Sequence, residues 1–391
     1  MSLLLLAAAK ATHNPHSEER CNQTSWILRL PAELVTEVFK HLPKASEICL
    51  TFTCRAFYNM FSPKLPNRLD RWTTQDLFLL LERDRPDSYY CFHCKKLHRW
   101  DPMLRGYQLG DWDGDCFRSH SWHDKERDSF YISTDHQLGF HGFRVIMNSH
   151  FYGPAHGFAP WVLEKEIQKT CPHTGCTIDE VIRTRIIDGE LFVSKIYKMS
   201  HPDGDAKKLR QLVEHTPLRI CRHLQIGRYW GRGNCWTSRG IRFLPRRIPE
   251  LERSRGGGYF TGCSEVVRSC GVCMTDCQVD ICDQSDGGQY GWSIKIVAWS
   301  QIGKGRDPLD STWLGISRPG YDCHASWRAF AEEPESTLPG IVRHRWSKMD
   351  DMLVDVKGEF ADGFDDGNDE GLAVDREGNL ILECDLPVYD Y

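Results

Sequence analysis

Cysteine placement limits what this chain can fold into more than any other feature. Seventeen cysteines stand among 391 residues, an odd number and well under the share of about 8–10 % that marks a disulfide scaffold. They fall into short units: Cys91-x-x-Cys94 followed by His98, Cys221-x-His223, and Cys270-x-x-Cys273. One tight turn can aim two thiols at a single ion when two residues separate them, so the spacing favours metal over disulfides. Thiols held as ligands imply a reducing compartment, and with it a cytoplasmic or nuclear address.

Two zinc sites are expected from these units, about two ions per chain. In the first, Cys91 and Cys94 form half a site and His98 stands one helical turn after Cys94; Cys116, in GDCF, is the expected fourth ligand ahead of His93, His120 and His123. In the second, Cys221, His223, Cys270 and Cys273 make a closed Cys3His set, with Cys263, Cys277 and Cys282 near enough in sequence to replace any of them. A closed site of this kind is structural and contributes on the order of 10 kcal/mol to folding. Cys171 and Cys176, with His173 between them, form a third and weaker grouping.

The chain is long enough for two or three folded units at roughly 150 residues each. Hydrophobic residues make up 40 % of it, the composition of a globular chain rather than a disordered one. No apolar run approaches the roughly 18 residues that a membrane-spanning helix needs, so no membrane partner is expected. The net charge of −5 hides a division: residues 350–391 carry 14 acids against Lys357 and Arg376, or −12, leaving +7 on the rest. Residues 1–25, apart from the short apolar run Leu3–Ala9, are polar and without periodicity and read as a disordered start; 350–391 read as an acidic, solvated tail.

Between these ends the hydrophobic pattern changes once. Leu30, Leu34, Val38 and Leu42 recur every four residues after Pro31, with Val35 and Phe39 beside them, which predicts a helix closed by Pro43. Ile48, Cys49 and Phe52, then Phe57, Tyr58 and Phe61, predict two more helices within residues 26–66. Thr73 and Asp76 resemble a capping box opening a linker helix within 67–88. From 89 to 349 the chain is rich in Cys, His and Trp, and its clearest signal is VIRTRIIDGELFVSKIY, two β-prone runs around Asp188-Gly189 that predict a hairpin. A helix is expected over Asp205 to His215, and Trp292, Ile294 and Ile296 alternate with Ser293 and Lys295 as a half-buried strand. The fold class is therefore α+β: a short all-α trio followed by a larger, β-leaning Cys/His-rich domain stabilised by zinc.

The residues of the trio carry a resemblance. LPAELVTEVFKHLP followed by ICLTFTCRAFYNMF resembles an F-box, from Leu30 to about Phe61, in its Leu-Pro opening, Glu33-Leu34, the closing Leu42-Pro43 and the later Cys54-Arg55. The resemblance implies docking on the Skp-type adaptor of a cullin-based SCF ubiquitin ligase through Leu30, Pro31, Leu34, Val38, Leu42, Phe52 and Cys54. It also implies that the rest of the chain recruits a protein substrate and that the chain is not itself an enzyme. Beyond the box, YYCFHCKKLHRW, ICRHL, SCGVCMTD and GRDPLDSTW look like segments of fungal F-box proteins with a Cys/His-rich region after the box.

Enzyme motifs do not compete with this reading: HExxH, GxSxG, the Walker loop and GxGxxG are absent from the sequence. The rival comes from residues 228–255, where arginines interleave with Tyr229, Trp230 and Trp236 as in grooves that stack bases and pair phosphates. That stretch supports a zinc-containing nucleic-acid-binding protein as the alternative. Under the adaptor reading, Arg246 and Arg247 are the expected contacts to an acidic or phosphorylated substrate.

Overall fold

The computed structural model describes residues 26–66, 68–100, 129–133, 136–216, 218–226, 239–240, 267–270, 272–283, 292–317, 338–350 and 358–360. The chain divides into two compact units, one holding the residues up to Arg85 with Lys95–Leu97, the other Pro86–Cys94 with His98 onward.

The first unit is helical. A single 3-10 turn over Trp26–Arg29 leads into α1 (Ala32–Lys40), α2 (Lys44–Thr53), α3 (Arg55–Phe61) and α4 (Arg71–Asp84). Pro31 and Pro43 occupy the N-cap positions of α1 and α2 in extended conformation, where the missing N–H costs nothing. Glu33 and Glu47 in the first turns complement the helix dipoles. At the start of α4 the cap is Asp70, whose Oδ1 accepts from the N–H groups of Trp72 and Thr73, both at 2.9 Å. This corrects the capping box expected at Thr73: that residue lies inside the helix, and Asp70, three residues earlier, supplies the acceptor. Two small cores hold the unit, one of Val35, Phe39, Phe57 and Phe61 and one of Ala45, Ile48 and Leu77. The Phe39 and Phe61 rings stack at 3.8 Å.

The second unit is built on a seven-stranded sheet in the order β14-β11-β12-β13-β7-β6-β5. Its strands are β5 (Lys165–Thr170), β6 (Thr177–Ile187), β7 (Glu190–Ser200), β11 (Val267–Ser269), β12 (Thr275–Asp283), β13 (Trp292–Gly303) and β14 (Gly358–Phe360). All neighbours are antiparallel except β11 and β14. Asp188 and Gly189 both adopt positive φ, 52° and 74°, which is the turn a two-residue hairpin needs, and Ile187 pairs with Glu190 across it.

One face of the sheet presents Val193, Lys195, Tyr197 and Met199 of β7 beside Ile294, Ile296 and Ala298 of β13, all buried. The other face carries Phe192 and Trp299 and is covered by α8 (Ile341–Lys348), whose Arg345 and Arg343 lie over those rings at 4.8 and 5.7 Å. The strand expected to be half-buried therefore differs from its alternation. Lys295 is exposed, but Val297 and Trp299 on the same face are buried, because α8 covers that end of the sheet.

Helix α5 (Phe140–Tyr152) and helix α6 (Ala206–His215) add to the core. Asp205 caps α6 through Lys207 N and Lys208 N, and Leu209, Leu212 and Val213 are buried beneath it. In α5, fully buried Arg144 donates to the carbonyls of Gly305 and Arg306. GRDPLDSTW is a packing element: Asp310 caps α7 (Ser311–Ser317) by accepting from Thr312 N at 2.8 Å, and Trp313 stacks on Phe143 at 5.2 Å. Shorter strands complete the unit: β1 (Ser88–Cys91) with β2 (Lys96–Arg99), β3 (Ser129–Tyr131) with β4 (Gln137–Gly139), and β8 (Leu218–Arg219) with β9 (Leu224–Ile226) and β10 (Arg239–Gly240).

Candidate metal centres and the docking helix

Every Cys/His unit singled out in the sequence sits in a tight turn between strands, not on a helix. Between β1 and β2, Cys94 N donates to Cys91 Sγ at 3.4 Å, and Lys95 follows in left-handed conformation, φ 55°. Between β8 and β9, Leu224 N donates to Cys221 Sγ at 3.2 Å while Ile220 N and Cys221 N close the turn on Leu224 O. Between β11 and β12, Val272 N points at Cys270 Sγ at 3.4 Å and Cys270 N bonds Thr275 O at 2.8 Å. Such N–H donors stabilise a thiolate over a thiol. His98 accordingly reaches Cys94 across a hairpin and not by the helical turn its spacing suggests; the backbone returns along β2 and sets His98 Nε2 2.7 Å from Cys94 Sγ.

Cys221, His223, Cys270 and Cys273 bring their ligand atoms within 4.8 Å of one another, and all four residues are buried. Cys221 Sγ and His223 Nδ1 are 3.9 Å apart, near the roughly 3.6 Å edge that a tetrahedron with Zn–S of about 2.3 Å and Zn–N of about 2.0 Å defines. His223 Nε2 is buried without a hydrogen-bond partner. Burial pushes the thiols of Cys270 and Cys273 up. Cys221 is buried as well, yet its thiol is held well below the ordinary range because both neighbouring thiols and the N–H groups of His223 and Leu224 donate to it.

Electrostatics at this centre involve a residue that the ligand spacing does not reveal. Three thiolates holding a dication would leave one negative charge, and Lys195 of β7 is fully buried near Cys221 and Cys273. Its Nζ donates to Ile220 O at 3.1 Å and to Tyr131 O, over the Phe130 ring. Burial pushes this ammonium down to about 8, while Cys221, Glu180 and Cys273 hold it up. The one sequence signal for Lys195 is its place between Val193 and Tyr197 in the β7 alternation, which puts it on the inward face.

Cys91, Cys94 and His98 form the other grouping, again within 4.8 Å. Cys116 lies outside the described residues, as do Arg246, Arg247 and most of the 228–255 stretch. Cys277 is buried on β12 but is not part of the Cys3His grouping. Cys171 and Cys176 close the β5–β6 turn, with Cys171 N bonded to Cys176 O at 2.8 Å; among the described residues they belong to no grouping of three. The donor sets fit zinc: soft sulfur donors with one imidazole each, the Cys3His set buried and closed, the Cys91–Cys94–His98 set buried only at Cys91.

The residues expected to contact an adaptor divide by exposure. On α1, Val35 and Phe39 face the core, whereas Leu34 and Val38 are 53 % and 43 % exposed. The buried stripe of this helix is therefore offset by one residue from the Leu34–Val38 series. Phe52 is 47 % exposed and its ring lies 5.8 Å from that of exposed Tyr58. Pro31 is exposed; Leu30, Leu42 and Cys54 are half-buried. An apolar row is thus left in water beside a filled core.

Residues 27–67 match the F-box domain. The chain carries an F-box. No curated protein and no solved structure matches it. F-boxes attach subunits to Skp-type adaptors in SCF ubiquitin ligases, and the proteins that carry them are generally non-catalytic, so the match supports a general role as a substrate adaptor. Among the described residues no helix is long and apolar enough to cross a membrane.

Proposed function

We propose that this F-box docks on a Skp-type adaptor through Leu34 and Val38 at the centre, with Leu30, Pro31, Leu42, Phe52 and Cys54 around them. The cullin follows through that adaptor. Residues 89–349 recruit the protein to be ubiquitinated, with Arg246 and Arg247 as contacts to an acidic or phosphorylated segment. The observation that carries this reading is the exposed Leu34–Val38 row on a helix whose opposite residues, Val35 and Phe39, already fill a core. Affinity purification of the tagged chain beside Leu34→Asp tests it. The adaptor and a cullin are expected with the first and not the second, and co-purification with both overturns it.

Zinc belongs to the same proposal. Cys221, His223, Cys270 and Cys273 hold one ion, and Cys91, Cys94 and His98 hold a second. Bound zinc supplies cross-linking of strand turns and no open coordination position at the Cys3His set, a structural role. The residues of the chain do the rest: the turn N–H groups orient the sulfurs, and Lys195 neutralises the remaining charge.

A further inference from the structure

The β1–β2 turn offers three ligand atoms, and a tetrahedral structural ion takes four. We propose that His141, in the first turn of α5, supplies the fourth ligand to the ion held by Cys91, Cys94 and His98. This rests on the zinc reading of that turn and makes the two centres chemically different, Cys2His2 and Cys3His.

The packing around the turn points to this residue. Phe92, directly after Cys91, meets Phe140 edge-on at 5.8 Å, and the Arg144 guanidinium lies 5.0 Å from the same Phe92 ring. The start of α5 is thereby pinned against the turn on both sides of His141. Tyr89, on β1, places its ring 5.8 Å from His98 and 5.4 Å from His141, so the two imidazoles share one buried phenol as neighbour. His141 is not among the donor atoms that lie within 4.8 Å of one another, so its ring would have to turn or shift toward them to ligate the ion.

His93 is the other imidazole at hand. It is exposed and lies inside the Cys-x-x-Cys turn, where two converging sulfurs already use the inner side. His141 comes instead from a separate element, so the ion would fasten α5 to the β1–β2 hairpin.

Zinc content of the purified full chain tests the proposal, read by elemental analysis after exposure to a chelating dye. Wild type is expected to keep about two ions per chain, His141→Ala about one, and His141→Cys and Cys116→Ser about two. X-ray absorption of the zinc-loaded wild type is expected to give about five sulfur to three nitrogen neighbours over both sites, against about six to two if a fourth thiol were used. Loss of an ion in Cys116→Ser with retention in His141→Ala overturns the proposal, as does failure of His141→Cys to restore the ion. A wild-type chain with one ion or none, unchanged by Cys91→Ser, overturns the zinc reading of the turn itself. That outcome is distinct, because the first two require a second ion in wild type.

Discussion

Replacing Cys221 with serine should cost the second unit a third or more of its stability margin. A closed zinc site contributes about 10–16 kcal/mol to folding, while whole domains are stable by only about 5–15 kcal/mol. Cys221 is one of four donors within 4.8 Å, all buried, and it carries the thiolate toward which both other sulfurs and two N–H groups point. A neutral hydroxyl does not replace it. Losing about a quarter of the metal term gives about 3–4 kcal/mol, and disturbing the buried Leu224 N–H acceptor adds about 1 kcal/mol or more. For a unit of this size, 4–5 kcal/mol lowers the melting temperature by about 10–20 °C. The assay is a thermal melt of wild type and Cys221→Ser followed by tryptophan fluorescence, with and without chelator, beside elemental analysis. Chelator should lower the wild-type melt towards that of the variant. A Cys221→Ser protein that keeps its zinc and melts within about 2 °C of wild type would refute the reasoning.

Substitutions at two further positions probe how the second unit is held. Asp276 is buried and accepts from Arg343 N at 2.8 Å, Gly340 N at 3.4 Å and the Ser269 hydroxyl, so Asp276→Ala strands the start of α8 and should cost about 2–3 kcal/mol in a denaturant titration. Burial pushes the Asp276 carboxyl up, so the unfolded chain releases this proton at lower pH than the native one; its contribution to stability falls as pH rises from the ordinary carboxyl range to the raised value. Asp276→Asn should lack that slope, and an unchanged slope would contradict the assignment. Gly157→Ala would set a methyl 1.8 Å from the carbonyl oxygen of Val145 and should destabilise by about 3 kcal/mol or more, whereas a variant with a wild-type melt would show that the α5 contact is not close-packed.

Elements with local punctuation were readable from the sequence. Asp188-Gly189 fixes the β6–β7 hairpin because both residues tolerate positive φ, and Asp205 announces α6 because its carboxylate meets the first free N–H groups. The short ligand units are equally plain, since each is half a tetrahedron whatever element carries it. What spacing alone does not carry is the element: Cys94 and His98 are four apart, which suits a helical turn and a hairpin alike, and β1–β2 pairing decides between them. The exposed side of α1 is ambiguous for the same reason, because Leu34–Val38 and Val35–Phe39 are parallel apolar series and only the packing of Phe61 on Phe39 selects the inward one. Lys195 is hidden because its burial depends on residues far along the chain, at Tyr131 and Ile220.

The central claim is that the F-box binds a partner through its exposed apolar row, and titration calorimetry of the full chain against a purified Skp-type adaptor measures it directly. Leu34 is half exposed in the free chain, and losing its burial at an interface forfeits about 1.5 kcal/mol or more, with desolvation of a new carboxylate on top. Leu34→Asp should weaken binding by about 100-fold or more, with the melting temperature unchanged because the residue lies outside the Val35–Phe61 core. Tight wild-type binding abolished in a normally folded variant is the predicted result. Equal affinity of the two proteins, or no binding by wild type, would contradict it.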